Sequence, residues 1–216
     1  MSIIEKKLDS NSWSYYFEHT ESGRKFRRVV GGFAWPGKKP GYIVSLGQEL
    51  EPDPTTETRH LWVVGEAEDF DVENLFRKAV ELKSLYQVQA FCGDNTNKLM
   101  MSLLRQSSNR SGFSLVAAPQ IDQERNFAFY MQIIRRRTNP DTKDLHFGES
   151  SRLPGYLLEV PPEEVISATV LDYPAVAALG YAVAYIDTYR PLPPLPPQIN
   201  IARTYVPNLD FWKRRG

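Results

Sequence analysis

One segment of this chain has a periodicity with a single reading. Val72, Leu75, Phe76, Ala79, Leu82 and Tyr86 recur every three or four residues, so they line one face of a helix over residues 72–86. Asp69 or Asp71 caps it, offering a carboxylate to the free N–H groups of its first turn. Val88-Gln-Ala-Phe-Cys92 follows almost at once, short and apolar enough to be a buried strand. A helix that leads from extended chain into a buried strand is the building unit of an α/β sheet.

The flanking sequence fills in the rest. Residues 13–19, 26–35, 41–47 and 60–66 read as strands, with a turn at Glu21-Ser-Gly23. Pro36-Gly-Lys-Lys-Pro-Gly41 is a loop, because two prolines and two glycines defeat both helix and central strand. Residues 1–12 are polar and expected to be loose. After the buried strand, Asn95 or Thr96 caps a second helix through Gln106. Residues 113–117, 127–137 and 156–160 read as extended, and Pro161-Pro-Glu-Glu164 as a short helical turn. A last helix begins at Tyr173 or Pro174, with Asp172 near its cap and proline at a permitted first-turn position. Arg190-Pro-Leu-Pro-Pro-Leu-Pro-Pro197 ends it and has the composition of a stiff polyproline II strap. The order predicts an α/β fold: a mixed sheet in which an antiparallel meander precedes strand-helix units, flanked by helices.

Composition narrows the function. The chain has 216 residues, 42% of them hydrophobic, enough for a substantial core. Lys+Arg 26 against Asp+Glu 26 is not the balance of a dedicated nucleic-acid binder, so any such contact must come from a local patch. The single cysteine, Cys92, excludes an internal disulfide. His19, His60 and His146 have no ligand spacing to one another, so no metal site is expected from them. With no apolar run long enough for a signal peptide or a bilayer span, the expectation is a cytoplasmic protein with no membrane contact.

Several residues carry chemistry or merely look as if they do. Gly32-Phe-Ala-Trp-Pro-Gly37-Lys38-Lys39 follows a strand and nearly matches a phosphate-binding loop. Lys39 stands where Ser or Thr should hold magnesium, and Pro40-Gly41 blocks the helix that should follow. It is read as a plain loop. Asp94 ends a buried strand at the sheet edge where open α/β sheets bind ligands, although Gly-Asp-Asn is also good turn chemistry. Asp172 either caps the last helix or faces Asp94 across that edge. Glu49, Glu51 and Asp53 form an acidic loop, and Glu66, Glu68 and Asp69 end a strand. Both groups read as solvated surface. Arg135-Arg-Arg137 and the basic run 24–28 can touch phosphates or serve as ion-pair partners. Arg135, Arg137, Lys38 and Lys39 are the candidate nucleic-acid contacts.

Val29-Val-Gly-Gly-Phe-Ala-Trp-Pro-Gly-Lys-Lys-Pro-Gly-Tyr-Ile-Val-Ser-Leu-Gly47, Leu61-Trp-Val-Val-Gly-Glu66, the 72–86 helix and Phe91-Cys-Gly-Asp94 resemble the ribonuclease-H-like nuclease domain of phage large terminase subunits. Leu171-Asp-Tyr-Pro-Ala-Val-Ala-Ala-Leu-Gly-Tyr181 is similar to that family's last helix. The resemblance covers roughly residues 26–189. It implies two divalent ions, Mg²⁺ or Mn²⁺, held by acids from the first strand, the fourth strand and the last helix, for cutting DNA during capsid filling. Carried over, the fourth-strand acid is Asp94 and the last-helix acid Asp172. The first-strand acid has no equivalent, because Phe33 or Ala34 fills its place. Where the family reads Asp-Ala-Leu, this chain reads Ala177-Ala-Leu179.

The expected organisation is an extension over 1–25, a ribonuclease-H-like domain over 26–189 and a Pro-rich tail over 190–216. Three functions are carried forward. The first is a degenerate, phage-derived domain acting by binding in DNA packaging or virion assembly, in a bacterial host, on DNA or through its tail on packaging or virion proteins. The second is an active Mg²⁺- or Mn²⁺-dependent DNA endonuclease that adds a relocated acid, Glu49, Glu51 or Glu66, to Asp94 and Asp172. The third is a purely structural assembly protein.

Overall fold

In the computed structural model, the described residues are 2–93, 114–118, 126–140, 143–165 and 167–188. Eight strands among them form one sheet: β1 (Ile4–Asp9), β2 (Ser14–His19), β3 (Lys25–Ala34), β4 (Gly41–Glu49), β5 (Leu61–Asp69), β6 (Ala90–Gly93), β7 (Ser114–Ala117) and β8 (Leu145–His146). The helices are α1 (Val72–Tyr86), α2 (Asn126–Thr138), α3 (Leu153–Leu158) and α4 (Pro174–Thr188).

β3 is the hub. One side pairs antiparallel with β4 over its length. The other side is divided: β2 takes Lys25 and Phe26, and β6 runs parallel to Val30–Phe33. β5 and then β8 extend the sheet beyond β4, and β7 extends it in parallel beyond β6.

Alternation along β3 builds two cores. Val29, Phe33 and Trp35 point to α1 and pack with Ile43, Leu75, Ala79 and Phe91. Val30 and Ala34 point to the other face and pack with Tyr42, Val44, α2 and α4. Helix α4 is apolar all round, as a helix buried between a sheet and other helices must be. It reaches backbone contact with β3: a Cβ on Gly32 would lie 1.8 Å from the Ala178 carbonyl oxygen. Asp71 is the α1 cap, its carboxylate accepting from the Asn74 N–H at 2.8 Å.

Three expected segments differ. Residues 127–137 are helical, not extended, because Phe127, Tyr130, Met131 and Ile134 repeat at helical spacing and all lie in the core. Their aromatic and branched side chains mimic a strand. Residues 153–158 form α3, with Pro154 in its first turn, where an extended run over 156–160 was expected. Residues 4–9 are a strand rather than loose chain. β1 pairs with β2 along its whole length, and Ile4 is fully buried in the α1-side core. The predicted helix at 95–106 lies outside the described residues. No described helix is long and apolar enough to cross a membrane.

Candidate functional site

The parallel pair β3 and β6 ends together, Phe33 opposite Gly93, at the sheet edge where β3 gives way to Trp35; the residue that follows Gly93 in the sequence is Asp94. That residue lies outside the described residues. β4 starts at this edge and β5 ends there, with Ala34 and Glu68 on either side of Tyr42. The first residues of α4 close over it: Tyr173, Pro174, Ala175 and Val176 line a cavity of about 10 Å³ with Lys39, Tyr42, Glu68 and Tyr156.

The positions where the resemblance expects an acid and this chain has none, Phe33 or Ala34 and Ala177, are closed, with Phe33 1% exposed. Ala34 is 2% exposed and Ala177 fully buried, both in the core between sheet and α4. Asp172 precedes the helix but turns back from it. Its carboxylate accepts from the Thr169 N–H (2.9 Å) and hydroxyl (2.8 Å), with Lys38 Nζ 3.8 Å away. The Thr169 N–H is the main cause that holds its pKa below the ordinary value. The helix itself starts with the Ala177 N–H donating to the Tyr173 carbonyl, so Asp172 closes a turn rather than capping α4. Lys39 pairs with Glu159 at 2.8 Å and sits 4.7 Å over the Tyr173 ring.

Glu66 and Glu68 are the acids this edge brings together. Two residues apart on a strand, they share a face. Glu66 accepts from the Tyr42 hydroxyl, the Ser151 hydroxyl and the Arg152 N–H. Glu68 accepts from the Tyr156 hydroxyl at 2.6 Å and pairs with the Arg152 guanidinium. Burial first, then the bond to Glu66, pushes the Tyr42 phenol far up. The bond to Glu68 takes Tyr156 up to about 12. The network ties residues 151–156 to β5.

The remaining candidates sit elsewhere. Glu49 pairs with Phe26 at the opposite end of β4, seven residues from Tyr42 or about 23 Å along the strand. There it accepts from Trp62 Nε1 at 2.8 Å and meets Arg24 at 3.5 Å. It does not join Asp172. Arg137 is clamped between Asp144 (2.6 Å) and Asp187, and Asp187 lies at the far end of α4, about 22 Å from its start. Arg135 is exposed in the last turn of α2. The basic candidates therefore fall at two ends: Lys38 and Lys39 at the site edge, Arg135 and Arg137 away from it. His60 and His146, expected to be unrelated, stand 2.7 Å apart because β8 pairs with β5.

Sequence reasoning missed Glu68, Ser151, Arg152 and Tyr156. The one available signal was the spacing of Glu66 and Glu68. Their partners are 84–88 residues away in sequence, and nothing local announces them.

A pair of divalent ions needs several oxygen ligands around a shared space. Ala34 and Ala177 supply none, Asp172 is engaged by Thr169, and Glu66 and Glu68 are engaged by five donor groups. Among the described residues, no group of three or more His, Cys, Asp or Glu is placed to hold a metal. The described side chains do not fit a two-metal centre.

No protein-family model matches the chain, and no curated protein matches it. Two solved structures are similar to it. The nuclease domain of the large terminase (g2p) of bacteriophage SPP1, with bound Mn, has a TM-score of 0.48 at 8% identity, covering 75% of this chain and 87% of that one. RuvC of Thermus thermophilus has a TM-score of 0.39 at 12% identity, covering 73% and 92%. The antiparallel β3–β4–β5 meander, the α1 crossover to parallel β6 and β7 on the far side of β3, and the closing helix α4 make this chain an α/β mixed sheet flanked by helices, ribonuclease-H-like in its order of elements.

Proposed function

We propose that this ribonuclease-H-like domain acts by binding rather than by cutting, in phage DNA packaging or virion assembly inside a bacterial host. The observation that carries the reading is that Phe33 and Ala34 in β3 and Ala177 in α4 are all buried apolar residues where the resemblance calls for carboxylates. A methyl group cannot hold a hard cation, and without that charge phosphodiester cleavage lacks its main source of transition-state stabilisation.

The bound partner is a protein. Asp172, Glu159, Glu164, Glu66, Glu68 and Asp69 outnumber Lys38, Lys39, Lys78 and Arg152 around the site edge, a poor surface for phosphates without metal ions. The Pro-rich segment over 190–216, which lies outside the described residues, is the docking element of this reading by its composition. Residues 1–25 are an extension in sequence that adds β1 and β2 to the same sheet, with Ile4 and Phe17 in the α1-side core.

Purified protein incubated with plasmid DNA and Mg²⁺ or Mn²⁺ tests this. The expected result is intact plasmid and no salt-sensitive retention of DNA on a filter. Cleavage abolished by Asp94→Ala overturns the reading in favour of an active nuclease. Retention that weakens as salt rises shows phosphate contact and makes DNA the partner.

A further inference from the structure

β5 is the last long strand on its side of the sheet, and most of its outer edge has no strand beside it among the described residues. β8 runs along it only at Leu61 and Trp62. From Val63 to Asp69 the strand is half-buried throughout, whereas the central β4 is buried from Gly41 to Gly47. Unpaired backbone groups on such an edge are a template for one more strand. A groove of about 690 Å³ follows the edge. Helix α1 forms one wall with Leu82, Leu85 and Tyr86, and Glu81 is exposed at its rim. Ser150 and Ser151 form the other wall. Lys78 closes the end nearest the site edge, its Nζ donating to the Glu68 carbonyl at 2.7 Å. An apolar wall facing a polar one selects an extended chain whose alternate side chains differ in kind.

The sequence contains such a segment. Gln198-Ile-Asn-Ile-Ala-Arg-Thr-Tyr-Val206 lies between Pro197 and Pro207, outside the described residues. It has the Ile, Thr, Tyr and Val content of a strand, bounded by prolines. In an extended chain Ile199, Ile201 and Arg203 share one face, and Gln198, Asn200 and Thr204 share the other.

We propose that residues 198–206 of the same chain add a strand to the free edge of β5, parallel to it, in the lane that β8 leaves at His146. Ile199 and Ile201 face the apolar wall of Leu82, Leu85 and Tyr86, and Arg203 comes within reach of Glu81. Gln198, Asn200 and Thr204 face Ser150 and Ser151. The reach is sufficient. α4 ends at Thr188 beside the start of β5: Arg137 joins Asp187 to Asp144, whose carbonyl accepts from the Leu61 N–H at 2.6 Å. α4 packs on β3 and β4, and the added strand lies two strand spacings beyond β4, about 10 Å. Residues 189–197 span about 28 Å at the polyproline II rise of about 3.1 Å per residue. An antiparallel strand would first have to be carried the further length of the free edge, about 20 Å. A second copy pairing β5 with β5 over that edge would set Glu66 opposite Glu66, and like charges directly opposite destabilise. The Pro-rich residues 190–197 are then stretched between α4 and the groove, where a protein partner can reach them.

Amide hydrogen exchange of the full-length protein, followed residue by residue by NMR, tests this, with light scattering on the same samples. The expected result is a monomer in which residues 199–205 are protected together with those amides of Val63–Ala67 that do not bond to β4. Ile201→Glu sets a carboxylate against Leu82 and should speed exchange in both segments by about tenfold or more, a local opening rather than a global one. Arg203→Glu acts in the same direction to a smaller degree, and adding Glu81→Arg restores the protection. None of these positions is in the core, so circular dichroism should not change. Fast exchange at the outward amides of Val63–Ala67 in the wild type overturns the proposal. Protection there that survives Ile201→Glu also overturns it, because something else then fills the groove. Protection found only in a dimer assigns the edge to a second copy and overturns it as well.

Discussion

Single atoms decide what this domain can do. Gly32 lacks a Cβ because α4 occupies that space, so Gly32→Ala forces β3 and α4 apart. The change is expected to destabilise by about 3 kcal/mol or more in urea unfolding. Gly148→Ala, which meets nothing within 4 Å, serves as the control and should be near neutral. The tyrosines at the same edge report on the carboxylate network. Tyr156 titrates at about 12 in the fold, above its ordinary 10, so the neutral phenol is the favoured form. The stability it contributes is complete below pH 10 and is lost as pH rises through 12. Spectrophotometric titration should show late-ionising phenols, one fewer in Tyr156→Phe and one fewer in Tyr42→Phe. Ala34 and Ala177 were legible in the sequence because each stands inside a short match to a known pattern. The Glu66–Ser151 and Glu68–Tyr156 bonds were not, because they depend on where a segment more than eighty residues away docks.

Elements were legible where one period dominated. Helix α1 has the bounds its spacing predicts, and its cap is one of the two aspartates named. β3, β4 and β5 lie where alternation and the Pro36–Gly41 loop put them. Helix α2 was misread because Phe127, Tyr130, Ile133 and Ile134 belong to types that favour strands, and tertiary burial overrode that preference. The two geometries predict different buried positions. On the helix Ile134 is fully buried while Ile133 is only partly so. Ile134→Ala should therefore cost about 2–5 kcal/mol and Ile133→Ala clearly less, measured by chemical denaturation. Equal costs would contradict the helical packing. The basic end of α2 also changes meaning: Arg137 holds Asp144 and Asp187, joining α2 to the end of α4 and to the residue before β8. It is a brace between elements rather than a free phosphate contact.

At the scale of the molecule, the ribonuclease-H-like sheet packs apolar core where the resemblance expects metal ligands. The sheet brings the ends of β3 and β6 together, the kind of edge where open α/β sheets bind ligands. Buried Phe33 and Ala34 in β3 and Ala177 in α4 offer no carboxylate there, and Glu66 and Glu68 are bound to tyrosine, serine and arginine. Glu66 stands at the site edge, while Glu49 and the arginine pair lie at the other end of the sheet, so Glu49 does not join Asp172 and the phosphate-contact set does not form one surface. Their positions along the chain carried no information about that separation; strand register and helix length supplied it. The central claim is that this edge cannot hold two hard cations. Electron paramagnetic resonance of free Mn²⁺ during titration of the protein tests it most directly. The account predicts no pair of tightly bound ions at the edge and the same Mn²⁺ signal for wild type and Asp94→Ala. Two ions bound per chain, both released by Asp94→Ala, would contradict it.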